Sequence, residues 1–147
     1  MNLRILASNC AHARPAKHHV MLPLLIMAAF YWLSSLPGTP SAEDPAAYAV
    51  FYLVPPTLQN ALHVPAYALL ATAWQWALRA WLSGSNACAV SALGIAVLYG
   101  VLDEWHQSFV PGRFASLTDV LLNAAGAIAG ILLLLWASRS VTKDAVR

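Results

Sequence analysis

The chain has 147 residues, 60% hydrophobic and 10% charged, with a formal net charge of +2. Soluble domains carry about 25% charged and 45–50% apolar residues, so this composition excludes an ordinary water-soluble domain and points to lipid. The slight positive balance suits contact with anionic headgroups, not nucleic acid.

A bilayer core about 30 Å thick is crossed by about 20 apolar residues in a helix. Residues 1–19 form a basic tail with Arg4, Arg14 and Lys17, in which His12, His18 and His19 are read as solvated. The first apolar stretch covers residues 20–36 and ends in Leu33-Ser34-Ser35. A basic stretch before an apolar one also fits a cleaved secretory signal. The nearest small-residue site, Pro40-Ser41-Ala42, has proline at its first position, so the stretch is expected to remain as a span. The following loop carries Glu43 and Asp44 and no lysine or arginine.

The second stretch, residues 58–82, holds His63 and Tyr67 near its start and Arg79 near its end. Pro65 is expected within the first helical turns, where a missing amide costs little. The third stretch covers 87–109 and the fourth 117–137, and a basic tail (138–147) with Arg139, Lys143 and Arg147 follows. Long apolar runs without polar alternation are helices rather than barrel strands. The expected fold is an all-α integral membrane protein with four transmembrane helices in one domain, residues 20–137. By the positive-inside rule both termini are cytoplasmic and the loop between spans three and four is outside. Cys10 and Cys88 then fall on the cytoplasmic side, so neither a disulfide nor a CxxC metal site is expected.

Between spans three and four runs LDEWHQSFVPGR, residues 102–113, which is dense in titratable groups. Val110-Pro111-Gly112-Arg113 fits a type II turn, with proline presetting φ and glycine supplying a positive φ. Spans three and four therefore form an antiparallel hairpin. Helical spacing puts Tyr99, Asp103, His106 and Gln107 on one broad face, with Glu104 three residues before Gln107. On span four, Asp119, Asn123, Gly126 and Gly130 share a face, and Gly126 with Gly130 makes a GxxxG helix-packing seam. If that seam meets span three, Asp119 and Asn123 approach Asp103 and Gln107. The expected outward cluster is His63, Tyr67, Asp103, Glu104, His106, Gln107, Arg113, Asp119 and Asn123.

These residues resemble the VanZ-like membrane proteins. The likeness rests on Asp103-Glu104 with Gln107, then Phe109, Pro111-Gly112-Arg113, Ser116, Asp119, Asn123 and the two glycines, with weaker matches at Leu33-Ser34-Ser35, His63 and Tyr67. Gln59-Asn60 stand where the family usually has an Asp-Lys pair. The resemblance implies a bacterial inner-membrane protein of the cell envelope. It also implies a link to antibiotic resistance, since the family's namesake is associated with low-level resistance to the glycopeptide teicoplanin.

Carboxylates within a membrane cost roughly 2.5–3.5 kcal/mol each at its centre, so they ask for a partner or a purpose. Arg113 is the expected partner of Asp103 and Glu104. The first functional reading is recognition of an outer-leaflet lipid-linked or peptide anion by Glu104, Gln107, Arg113, Asp119, Asn123, Asp103, His63 and Tyr67. The partners are then membrane lipids, an envelope precursor or a lipid headgroup, and a second copy if the glycine seam serves a dimer. The second reading is an intramembrane enzyme with Asp103 or Glu104 as acid or base and His106 or His63 as proton partner. The third is structural, with the cluster locking the helices.

Each residue also has a plainer role. Ser116-x-x-Asp119 is a capping-box pattern. Tyr48, Phe51, Tyr52 and Trp105 fit an interfacial aromatic belt. Asp103 and His106, joined by His63 and Asp119, could together ligate one metal ion, but no HExxH-type spacing is present, so no metal or cofactor is expected. Ser108 and Ser116 lack the GxSxG context of a nucleophile.

Overall fold

The computed structural model describes residues 15–45 and 48–145. It is all-helical among the described residues, with four main helices. Helix α1 is Met21–Ser34, preceded by a 3-10 turn at Lys17–Val20. Helix α2 is Pro56–Leu78, α3 is Ser85–Gln107 and α4 is Leu117–Ala145. A single helical turn, Ala49–Tyr52, interrupts the loop between α1 and α2.

The helices run up, down, up, down, as cross-contacts show. His19 meets Trp76, so α1 begins where α2 ends. Ser34 meets Asp103 and Ser35 meets His106, so α1 and α3 finish together. Helix α2 packs against all three others, while α1 lies against α2 and α3. The connection between α3 and α4 is the expected type II turn, with Arg113 N–H donating to Val110 O at 3.1 Å and Gly112 at φ 74°.

The interior and exterior are inverted relative to a soluble domain. Small residues fill the centre, among them Ala71, Ala77, Ala89, Ala92, Ala96 and Ala127, around Tyr67, Leu70 and Trp74. Buried with them are Ser34, Gln75, Asp103, Glu104, Gln107, Asp119 and Asn123. Large apolar side chains such as Val90, Leu98, Leu121, Leu132, Leu133 and Trp136 point outward. In water this exterior would be a large aggregation-prone patch, whereas hydrocarbon accepts it. Among the described residues, two helical segments are long and apolar enough to cross a membrane, Ser85–Gln107 and Leu117–Ser138. Helix α1 has 14 residues, about 21 Å at 1.5 Å per residue, which is short of a full crossing by itself.

Several sequence expectations are corrected here. Helix α2 starts at Pro56, with Pro55 extended before it. Two consecutive prolines favour that start, since the first resists helical φ/ψ at its predecessor and the second suits the first helical position. Pro65 therefore sits inside α2 rather than within its first unpaired turns. The glycine seam of α4 faces α2, not α3. A Cβ added at Gly126 would run into the backbone of Val64, and one at Gly130 into that of Ala68. His18 and His19 belong to the ordered turn before α1, and the His19 ring packs on Trp76 at 4.7 Å, so His19 is not a solvated tail residue. Cys88 is buried at 1% exposure, while Cys10 and His12 lie outside the described residues.

Candidate functional site

At the end of the bundle formed by the α1–α2 loop and the α3–α4 turn, polar side chains from four helices meet. Asp103 accepts from Ser34 Oγ at 2.5 Å, from Gln107 Nε2 at 3.3 Å and from Tyr67 OH at 3.4 Å. Three donors on one carboxylate from α1, α2 and α3 make Asp103 a junction between helices. Gln107 also donates toward Glu104 Oε1 at 3.4 Å and accepts from Arg113 through its Oε1 at 3.4 Å. Its amide therefore joins the acidic pair to the guanidinium.

Arg113 is not an ion-pair partner of Asp103 or Glu104 among the described residues, contrary to expectation. Its Nε–H donates to Leu36 O at 2.9 Å and a terminal nitrogen to Leu33 O at 3.3 Å. These carbonyls lie at and just beyond the end of α1, where the last carbonyls lack intrahelical partners, and a guanidinium supplies several donors at once. The loop and the turn also touch directly. Gly38 N–H donates to Pro111 O at 2.9 Å, and a Cβ on Gly38 would strike the backbone of Gly112.

A second group lies between α2, α3 and α4. His63 Nδ1 is 2.7 Å from Asn123 Oδ1. Ligating atoms of His63, Glu104 and Asp119 all fall within 4.8 Å of one another. Glu104 Oε2 accepts the backbone N–H of Ser116 at 3.0 Å, and Ser116 Oγ accepts that of Asp119 at 3.4 Å. Asp119 is 8% exposed and its Oδ1 is buried with no hydrogen-bond partner. The Nδ2 of Asn123 is likewise buried and unpartnered. Asn123 fits there because Gly100 on α3 leaves room, since a Cβ at Gly100 would come within 3.2 Å of both Asn123 and Tyr67.

A model of the VanZ/LLP1 family matches residues 7–138. The chain belongs to the VanZ/LLP1 family. No curated protein and no solved structure matches it.

In this VanZ/LLP1 protein the residues of the expected polar cluster converge at one end of the bundle, with one exception. His106 faces away from the carboxylates of Glu104 and Asp119, hydrogen-bonded to Ser35 Oγ at 3.0 Å and packed on Tyr31 at 4.5 Å. Tyr99 also turns to α1, donating to Met27 O at 2.6 Å. A cavity of about 320 Å³ opens beside the junction, lined by Phe30, Leu33, Leu62 and Ala66 on its apolar side and by His63, Tyr67, Asp103, Gln107 and Arg113 on its polar side. Gln59 also lines it. Sequence reasoning missed the part played by Ser34 and Ser35. The available signal was a pair of hydroxyls closing an apolar span, one for Asp103 and one for His106.

Proposed function

We propose that this VanZ/LLP1 protein is a multi-pass cell-membrane protein with four spans and cytoplasmic termini. Its cavity receives the anionic headgroup of an envelope lipid or lipid-linked precursor from the outer leaflet and thereby influences glycopeptide susceptibility. The cavity carries this reading. One wall is apolar, as an acyl or prenyl chain requires, and the other presents hydrogen-bonding groups and Arg113. Three of the five guanidinium N–H groups are used on Leu33, Leu36 and Gln107, which leaves two for an incoming oxyanion. Anchoring on carbonyls instead of carboxylates leaves the positive charge of Arg113 unneutralised. The orientation rests on the basic residues, because Arg113 stands alone at the cavity end while the other seven lysines and arginines lie toward the opposite end or in the tails.

The test is lipid capture. Native mass spectrometry of protein extracted with envelope lipid should find an anionic lipid on the wild type and much less on Arg113→Gln. Glycopeptide susceptibility of cells expressing equal amounts of each should change in parallel. Equal lipid retention by both forms would reject the assignment.

An enzymatic reading is favoured by one further observation, the approach of His63 to Glu104 and Asp119. There Glu104 acts as acid or base and His63 as the proton partner, on a lipid held in the cavity that His63 also lines. Incubation with total envelope lipid separates the two readings, since an enzyme yields a new lipid species that Glu104→Gln cannot form. The structural reading suits Asp103 best, because its carboxylate is already bonded to three side chains.

A further inference from the structure

We propose that His63, Glu104 and Asp119 bind a divalent transition-metal ion of the zinc or manganese(II) class between α2, α3 and α4. The three residues come from three different helices, which is why no local ligand spacing announces them. Their ligating atoms lie within 4.8 Å of one another. An ion with bonds of about 2.0–2.2 Å holds tetrahedral ligands about 3.4 Å apart, so each atom moves by less than about 1 Å to close on it.

Each ligand is prepared in a different way. Asn123 Oδ1 accepts from His63 Nδ1, so that nitrogen carries the proton and Nε2 presents its lone pair. A hydrogen bond that selects the tautomer in this way is the usual support of a ligating histidine. Glu104 is oriented by the Ser116 N–H on Oε2 and keeps Oε1 in only a long contact with Gln107. Asp119 supplies the independent sign of a missing ligand, since its Oδ1 is buried without any hydrogen-bond partner in a residue 8% exposed. A buried acceptor in that state carries its full desolvation cost unless something binds it.

Charge points the same way. Asp103, Glu104 and Asp119 are all buried at this end of the bundle, and among the described residues Arg113 makes no ion pair with any of them, its hydrogen bonds going to two carbonyls and the Gln107 amide. Asp103 has three donors of its own, whereas no lysine or arginine pairs with Glu104 or Asp119 among the described residues. A dication balances two carboxylates around a neutral imidazole, whereas one shared proton would cancel a single charge. Mixed nitrogen and oxygen donors suit zinc or manganese(II) rather than calcium or magnesium. Three protein ligands leave a position for water or a ligand oxygen, and His63 puts the ion at the edge of the cavity. The ion does not depend on the lipid reading, since its ligands bind it with the cavity empty.

The experiment uses the full-length, tag-free protein in detergent, stripped with chelator, reloaded with zinc or manganese(II) and desalted. Elemental analysis should find about one ion per chain in the wild type and in His106→Ala. Retention should fall at least about tenfold in His63→Ala, Glu104→Gln and Asp119→Asn. The added ion should raise the melting temperature of the wild type and not of these three. Manganese(II) on the wild type should show electron spin-echo modulation from an imidazole nitrogen, a readout that requires no variant to fold. A stripped wild type that takes up no ion, an ion without imidazole coupling, or unchanged retention in all three folded variants would each overturn the proposal.

Discussion

Glu104 accepts the backbone N–H of Ser116 at 3.0 Å across the α3–α4 turn. In a capping box the residue three positions after the N-cap would take that proton, and here that residue is Asp119. The neighbouring helix does the job instead, while Ser116 Oγ still caps the Asp119 N–H at 3.4 Å. The side chain of Asp119 is thereby released from capping and faces His63 and Glu104.

Glu104 thus has two separable roles. Glu104→Ala removes the acceptor of a partly buried amide and should lower stability by about 1–3 kcal/mol. Glu104→Gln keeps an acceptor oxygen and should cost clearly less. Thermal unfolding of the two variants in detergent checks the order, and equal losses would mean that the Ser116 contact contributes nothing.

Ser34 ties α1 to α3 through a carboxylate, at 2.5 Å from Asp103. Hydrogen bonds to charged groups contribute about 1.5–3 kcal/mol, so Ser34→Ala should destabilise by an amount in that range. Ser35→Ala loses a contact to a histidine at 3.0 Å in a less buried place and should lose less. Their melting temperatures, measured side by side, decide between the two contacts.

The seam between α2 and α4 tolerates no side chain. Gly126→Ala and Gly130→Ala push a methyl into the backbones of Val64 and Ala68, and each should cost about 1–3 kcal/mol through overpacking. Gly94→Ala serves as the control, because nothing lies within 4 Å of an added Cβ there and alanine favours the helix. A seam used for dimerisation would behave differently, with the two glycine variants changing the oligomeric state and sparing the monomer's melting temperature.

Asn123 should set the tautomer of His63. Nitrogen-15 spectra of histidine-labelled protein, stripped of metal, should show His63 as the Nδ1–H form. Asn123→Ala should shift that signal toward the mixture typical of a free imidazole while the other histidines stay put. An Nε2–H signal in the wild type would reverse the assignment.

The helices, the hairpin and its turn were legible in the sequence because each is a local property. Apolar length marks a helix in lipid, and Pro111-Gly112 dictates a turn wherever the chain places it. The Gly126–Gly130 pattern states that another backbone comes close without stating which one, and only the packing selected α2. Neighbours in sequence were the hardest to resolve. Successive helical residues point about 100° apart, so Asp103 and Glu104, adjacent in the chain, serve different helices. Asp103 turns to Ser34 and Tyr67, and Glu104 turns to Ser116. The same rotation separates His106 from the group it was expected to join.

Composition and order along the chain therefore determined that this protein is a helical bundle with an apolar exterior and a polar end. Which carboxylate meets which partner was decided by the tertiary structure, because such meetings depend on how helices far apart in sequence rotate against one another. Arg113 on the carbonyls of α1, and His63 beside Glu104 and Asp119, are contacts of that kind, set by packing at the close approach of four helix ends.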